Sequence, residues 1–384
     1  MKNVPIITAL STMKTAGYSS IWIFSAIFIH SNLGLSYIDD GAIFVIGGGL
    51  ASLFQVYGGS LSDAIGYRNT IIVAMFITTV LYSVVFSFHS IRNSPIWFPV
   101  SLISILVTNA TMSPAASALV GNSSDVKLRG FSILRIGNNI GWGAGPAIGG
   151  FLILFYGFSS LFLFGFLLGT ASLILALPLK DLKLKSPPRT SLLSENRSLI
   201  ILSVITMLLF MVQAQETVTL TNYAHFIRNL NFGEIGLIYV TNGLFVPLSQ
   251  APVYKISRRM GNFLSFSSGM TIYTIGFLSY GFDQTLLQMV ASTIVLTIGE
   301  DFAFPTGYAM ISVISKPENM GKNMGVYSAF MSIGRAVGPF LGGYVLNFTS
   351  DPLEIWLITT LTGFIGLIIF LAVFYGNRKF LSAT

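Results

Sequence analysis

The sequence predicts an all-α membrane protein of twelve transmembrane helices in two pseudo-symmetric six-helix bundles. Three observations carry that reading. Of the 384 residues, 53% are hydrophobic and only 9% charged, against roughly 25% charged in soluble domains. Twelve apolar segments approach the ~20 residues a helix needs to cross a bilayer. One ten-residue template also occurs twice: Gly141–Gly150 reads GWGAGPAIGG and Gly334–Gly343 reads GRAVGPFLGG, 193 residues apart in the chain. A repeat at half the chain length marks a duplicated unit.

The shared template is G-x-x-x-G-P-x-x-G-G. It places Gly141, Gly145, Pro146, Gly149 and Gly150 in one half, and Gly334, Gly338, Pro339, Gly342 and Gly343 in the other. Glycines at this spacing let membrane helices approach closely, and a proline is tolerated where neighbouring helices satisfy the freed backbone groups. The template is therefore expected to be a helix-packing device, used once in each half.

In chain order the spans are 5–29, 41–61, 70–88, 96–120, 131–155 and 160–179, then 199–222, 235–251, 263–282, 286–311, 325–346 and 355–375. The long polar, proline-containing stretch KDLKLKSPPRTSLLSENR lies between the sixth and seventh. This divides the chain into a first bundle at 1–179, a cytoplasmic linker at 180–198 and a second bundle at 199–384. The N-terminus has no short apolar core followed by a cleavage site, so it reads as a first span and not as a removable signal.

Lysine and arginine in the short loops set the orientation. With both termini in the cytoplasm, sixteen basic residues fall on the inner side and only Arg92 and Arg228 on the outer side. The net charge of +7 is then a topological signal spread over many loops, which argues against a nucleic-acid partner. The expected partners are membrane lipid and a small-molecule substrate, the expected location is the cell membrane, and a monomer is expected. There is no cysteine, which excludes thiol chemistry and thiolate metal sites, and no metal or other cofactor is expected.

The first inner loop reads GSLSDAIGYR from Gly59 to Arg68. With the twelve spans, it resembles the major facilitator superfamily of secondary transporters, whose corresponding loop typically reads G-x-L-a-D-r-x-G-r-k. Gly59, Leu61, Asp63 and Gly66 match, and Arg68 supplies one basic residue; Ala64 stands where an arginine is usual. The resemblance implies that Gly59, Asp63, Gly66 and Arg68 form a latch stabilising one conformation of the transport cycle. In the second half, PVYKISRRMG at 252–261 stands at the matching loop, with Gly261 corresponding to Gly66. The Gly-Pro template is also similar to the fifth-helix motif of the family's drug:proton antiporters.

Charge inside the bilayer is expensive and marks function. Six such residues occur: Lys14, Arg135, Glu216, Glu300, Asp301 and Arg335. The resemblance places the first, fourth, seventh and tenth helices around a central cavity, so Lys14, Glu216, Glu300 and Asp301 are expected to face it. Arg135 and Arg335 are expected as charge partners, although Arg135, near its helix start, can also snorkel to the surface. On the first span Ser11, Lys14, Thr15, Tyr18 and Trp22 recur at helical spacing; Gln213, Glu216 and Thr217 do so on the seventh, and Ser101, Ser104, Thr108 and Thr111 on the fourth. Glu300 and Asp301 point about 100° apart on a helix, so one is expected to face the cavity and the other a neighbouring helix.

A carboxylate that is ionised facing one side and protonated facing the other couples proton flow to transport. Glu216, with Glu300 or Asp301, is the expected site. Proton-coupled efflux of amphipathic compounds is the first reading. Uptake of a small organic anion or sugar, with Lys14 as partner of a substrate carboxylate, stays open, as does a membrane enzyme or sensor. Against an enzyme, neither H-E-x-x-H nor G-x-S-x-G occurs; against an ATP-driven pump, no G-x-x-x-x-G-K-[ST] loop occurs. The energy source is then a proton or other ion gradient.

Overall fold

A computed structural model describes residues 3–123, 127–180, 197–315 and 320–376, which are helical except at short turns. The first half comprises α1 (Asn3–Leu33), α2 (Tyr37–Ile65), α3 (Tyr67–Ser87), the short α4 (His89–Arg92), α5 (Trp97–Ser123), α6 (Lys127–Tyr156) and α7 (Ser159–Ala176). The second comprises α8 (Arg197–Gln213), the one-turn α9 (Thr219–Asn222), α10 (Phe232–Ser279), α11 (Leu286–Ile314), α12 (Met320–Phe348) and α13 (Pro352–Phe374). Among the described residues, nine helical stretches are long and apolar enough to cross a membrane. One of them, α10, breaks at Gly261 into two rods, and α1 and α6, 31 and 30 residues long, complete twelve. The linker at 181–196 lies outside the described residues.

By their contacts the residues group into two compact units, Met1–Pro187 with Ala224–Gly243, and Pro188–Tyr223 with Leu244–Thr384. In the first, α1 packs on α6 and α7, and α5 on α2 and α3. In the second, α8 packs on α12 and α13, and α10 beyond Gly261 lies tightly on α11, where a Cβ at Gly269 or Gly276 would strike the backbone of Ala303 or Leu296.

The repeated template explains one close helix contact in each unit. A Cβ at Gly141 would meet Thr12 O at 2.7 Å, and one at Gly145 would meet Ala16 O at 2.5 Å. In the other unit a Cβ at Gly338 would meet Met211 O at 2.7 Å and Ala214 Cβ at 2.6 Å, while Gly334 faces Met207 and Gly342 faces Gln215 and Thr219. The facing residues Thr12 and Ala16 stand 195 positions before Met207 and Met211, so the helix pair is repeated on both sides of the contact. Only glycine admits this approach. Gly150 turns instead toward Phe232, and Gly143 meets Gly243.

The expected loops around Asp63 and at 252–261 are not loops. Helix continues to Ile65 in α2 and through 252–260 in α10, so each connection shrinks to one glycine. Gly66 has φ 93°, ψ 150° and Gly261 has φ 76°, ψ 165°. That conformation is essentially restricted to glycine, and a single such residue reverses the chain between two rods. Gly59 lies inside α2 with open space around it; the close approach falls on Gly58, against Thr111 of α5.

A second repeat appears at the helix ends that the charge count places outside. The Nδ1 of His30 lies 2.8 Å from Leu35 O, and the Nδ1 of His225 lies 3.0 Å from Leu230 O. Each ring stacks on the residue seven positions later, Tyr37 at 3.8 Å and Phe232 at 4.8 Å. Between them Gly34 and Asn229 take positive φ. Ser36 with Asp39, and Asn231 with Glu234, then exchange reciprocal side-chain and backbone hydrogen bonds at the next helix start. Asp39 and Glu234 thus help cap these helix starts, and Asp351 caps α13, where a carboxylate satisfies exposed amides and opposes the positive dipole end.

Candidate functional site

The second unit holds four of the six charged residues, Glu216, Glu300, Asp301 and Arg335. After Gln213 the seventh rod leaves regular geometry: residues Ala214–Glu216 form a 3-10 turn, α9 follows, and Tyr223–Ile227 form a π turn. Such irregular turns re-aim side chains and recur at functional sites. Glu216 stands in the tightened turn, half-buried. The charged groups within electrostatic reach of it, among the described residues, are Glu300 of α11 and Arg335 of α12.

Arg335 is held on two sides. Its Nε donates to Gln213 Oε1 at 3.0 Å, and its guanidinium carbon lies 4.5 Å from the centre of the Phe210 ring. Phe210 in turn stacks on Phe304 at 4.6 Å, and Phe304 meets Tyr273 edge-on at 5.5 Å. Two carboxylates, one guanidinium and three aromatic rings therefore share one neighbourhood. Arg335 is itself exposed, while Glu216 and Glu300 are half-buried. Arg135, near the start of α6, is also exposed.

Glu300 and Asp301 diverge as adjacent helical residues must. Glu300 joins Glu216 and Arg335. Asp301 is only 6% exposed and its Oδ2 accepts from Ser249 Oγ of α10 at 2.5 Å, so it faces a neighbouring helix. Thr217 donates to Ala214 O at 2.8 Å within its own turn. Gln215, which the sequence reading passed over, ties the rod to α12 by donating to Gly338 O at 2.9 Å, and also donates to Met211 O at 2.8 Å. Its signal was the register of the Gly template opposite.

In the first unit the expected face of α1 divides. Thr15 and Ser19 turn to α6, donating to Asn138 Oδ1 and Gly141 O. Tyr18 stacks on Trp22 at 5.3 Å and meets Trp142 edge-on at 6.0 Å; Trp22 packs on Phe44 at 4.3 Å. Lys14 instead lines a small cavity with Tyr82 of α3 and Asn109 of α5. Thr108, like Ser101, Ser104 and Thr111, donates to the carbonyl four residues back in its own helix. Its hydroxyl proton is spent there, so the stripe on α5 supplies acceptors and no free donor.

At the expected latch, Arg68 donates from Nη2 to Leu177 O at 2.8 Å, closing the C-terminal end of α7 as a cation does at a negative dipole end. The backbone of Asp63 lies in α2; its side chain lies outside the described residues.

Comparison with known proteins agrees with this architecture. The family model described as Major Facilitator Superfamily matches residues 7–262 and 205–383. The chain is 24% identical over 375 residues to the uncharacterised MFS-type transporter YqjV of Bacillus subtilis, covering 93% of this chain and 89% of that one. It is 22% identical over 350 residues to YttB of the same organism, covering 87% and 86%. A solved POT family transporter in complex with a thioalcohol-conjugated peptide superposes with a TM-score of 0.82 at 16% identity, covering 99% of this chain and 96% of that one. The relatives are transporters throughout, and this chain is a multi-pass membrane transporter of the major facilitator superfamily.

Proposed function

We propose that the protein is a proton-coupled exporter of amphipathic compounds, the cationic ones above all, working by alternating access of its two six-helix halves. One observation carries the reading: two carboxylates, Glu216 and Glu300, share a neighbourhood with one guanidinium, Arg335. With all three ionised, this cluster holds one negative charge more than it balances. Between half-buried acids such an excess of like charge is costly, and a proton or a cationic substrate relieves it. Proton and substrate then compete for one acid, which is the requirement for exchange. The rings of Phe304 and Tyr273 give an apolar body and a positive group a matching surface.

Each side of the cycle follows from that competition. A substrate arriving from the cytoplasm displaces a proton from the cluster; once the site faces outward, a proton displaces the substrate. Arg335, fixed by Gln213 and Phe210, holds one carboxylate ionised throughout and leaves the other to exchange. The test is uptake of a fluorescent lipophilic cation into proteoliposomes with an imposed pH gradient, acid inside. Accumulation that collapses when the gradient is dissipated, and that is absent in Glu216→Gln, supports the reading. Accumulation unaffected by dissipating the gradient would count against it.

A further inference from the structure

Four tyrosines of the second unit are almost completely buried, Tyr223, Tyr273, Tyr280 and Tyr327. Three of their hydroxyls are bonded. Tyr223 donates to Tyr280 O at 2.7 Å, Tyr280 pairs with Thr293 Oγ1 at 2.8 Å, and Tyr327 pairs with Thr206 Oγ1 at 3.3 Å. The hydroxyl of Tyr273 is equally buried and has no partner. A specific unsatisfied group in a native interior is costly and has a reason.

The packing of α10 on α11 sets where that hydroxyl lies. A Cβ at Gly299 would strike the backbone of Tyr273, meeting its Cα at 2.6 Å, so the two helices touch at the residue before Glu300. The Tyr273 ring meets Phe304 edge-on at 5.5 Å, and Phe304 shares a helix face with Glu300, four residues earlier. Tyr273 is thus held on α11 at two points that bracket Glu300. Phe277 lies 5.1 Å away on the same rod and braces the ring.

The charged and titratable groups within electrostatic reach of Tyr273, among the described residues, come from four elements. They are Glu216 of the turn after α8, Glu300 of α11, Arg335 of α12 and Tyr280 of α10 itself. Tyr308 of α11 also faces Arg335, while Asp301 turns away to Ser249. Arg335 has only hydrogens to donate and is already committed to Gln213 and Phe210. The strong acceptors left for a phenol are the two carboxylates. A hydroxyl bonds an ionised carboxylate far better than a protonated one.

We propose that Tyr273 is a positioning residue of the proton exchange: its hydroxyl donates to the exchanging carboxylate of the Glu216–Glu300 pair when that group is ionised, and lets go when it takes a proton. The hydroxyl keeps its own hydrogen throughout; the proton that moves is the carboxyl's. This rests on the reading of the pair as the proton site. It adds a residue from the ninth span, outside the four expected to face the cavity. A bond to the charged form favours that form, so removing the hydroxyl moves the exchange to higher pH.

The test is an infrared difference titration of the detergent-purified protein, which reads the protonated carboxyl band without any transport. The part of the band that Glu216→Gln or Glu300→Gln removes belongs to the pair. Tyr273→Phe keeps the ring between Phe304 and Phe277, and its midpoint for that part is expected about one to two pH units higher. 3-Fluorotyrosine at position 273, a more acidic phenol and a stronger donor, should move the midpoint the other way. A ring that only fills space would not do so, and this variant keeps the test open if Tyr273→Phe fails to fold. An unchanged midpoint in both, or a shift of the same sign in both, overturns the proposal. If neither glutamine variant removes any of the band, the proposal and the reading beneath it both fall. The expected shifts in a protein that moves no protons with an amphipathic cation in liposomes would uphold the role of Tyr273 and overturn the export reading alone.

Discussion

Arg335 and Gln213 are joined by one hydrogen bond, Nε to Oε1 at 3.0 Å, while the guanidinium lies over Phe210. The bond runs between α12 and the end of α8, next to the turn that carries Glu216. It uses the nitrogen that lysine does not have, and the planar stacking that lysine does not reproduce.

Arg335→Lys therefore keeps the charge and loses the geometry. Gradient-driven transport is expected to fall by about tenfold or more, since a charge-assisted bond and a cation–π contact are together worth roughly 2 kcal/mol or more. Initial rates in proteoliposomes with matched protein content check this; equal rates would remove Arg335 from the site.

Asp301 is assigned a structural role by its bond to Ser249, unlike its neighbour Glu300. Ser249→Ala should lower stability by about 1–3 kcal/mol through a carboxylate left short of a donor, with proton coupling retained. Glu300→Gln should do the reverse. Measuring the unfolding midpoint and coupling on the same preparations separates the two acids, and coupling lost in Ser249→Ala would reassign Asp301.

The two junction glycines, Gly66 and Gly261, take the same unusual backbone conformation. Alanine at either should cost about 1–3 kcal/mol. Gly59→Ala, inside α2 with open space around it, should be neutral or stabilise by up to ~1 kcal/mol. Midpoints for the three variants test the contrast within one signature motif.

Gly145 and Gly338 occupy equivalent places against α1 and α8. A methyl group at either must push two backbones apart, an overpacking that costs about 1–3 kcal/mol. Both alanine variants should unfold earlier by similar amounts. A large effect at one and none at the other would show that the repeat is not mechanically symmetric.

Most of the fold was legible because its signals are local. Apolar length gives the spans, and the Gly-Pro template gives the duplicated helix pair, which Gly141 and Gly334 occupy as their spacing implied. The expected loops failed because hydropathy falls wherever polar residues cluster, although helix continues; 252–260 is polar helix in α10. The site was legible by residue type and not by partner. Helical spacing placed Glu216 and Gln213 together, but it gave no means to foresee that Arg335 bonds to Gln213 or that Asp301 bonds to Ser249. Tyr273 was invisible in sequence, since a tyrosine in an apolar span is usually core. The histidine corners at His30 and His225 were missed because their residues differ in type between halves while sharing one backbone path.

The central claim is that the Glu216–Glu300 cluster exchanges a proton for the transported compound. The most direct measurement places a pH-sensitive dye inside proteoliposomes, with no imposed gradient, and adds an amphipathic cation outside. The account predicts proton movement out of the liposomes as the cation enters, in wild-type protein and not in Glu216→Gln or Glu300→Gln. Entry of the cation with no change in internal pH, or an unchanged pH response in both variants, would contradict it.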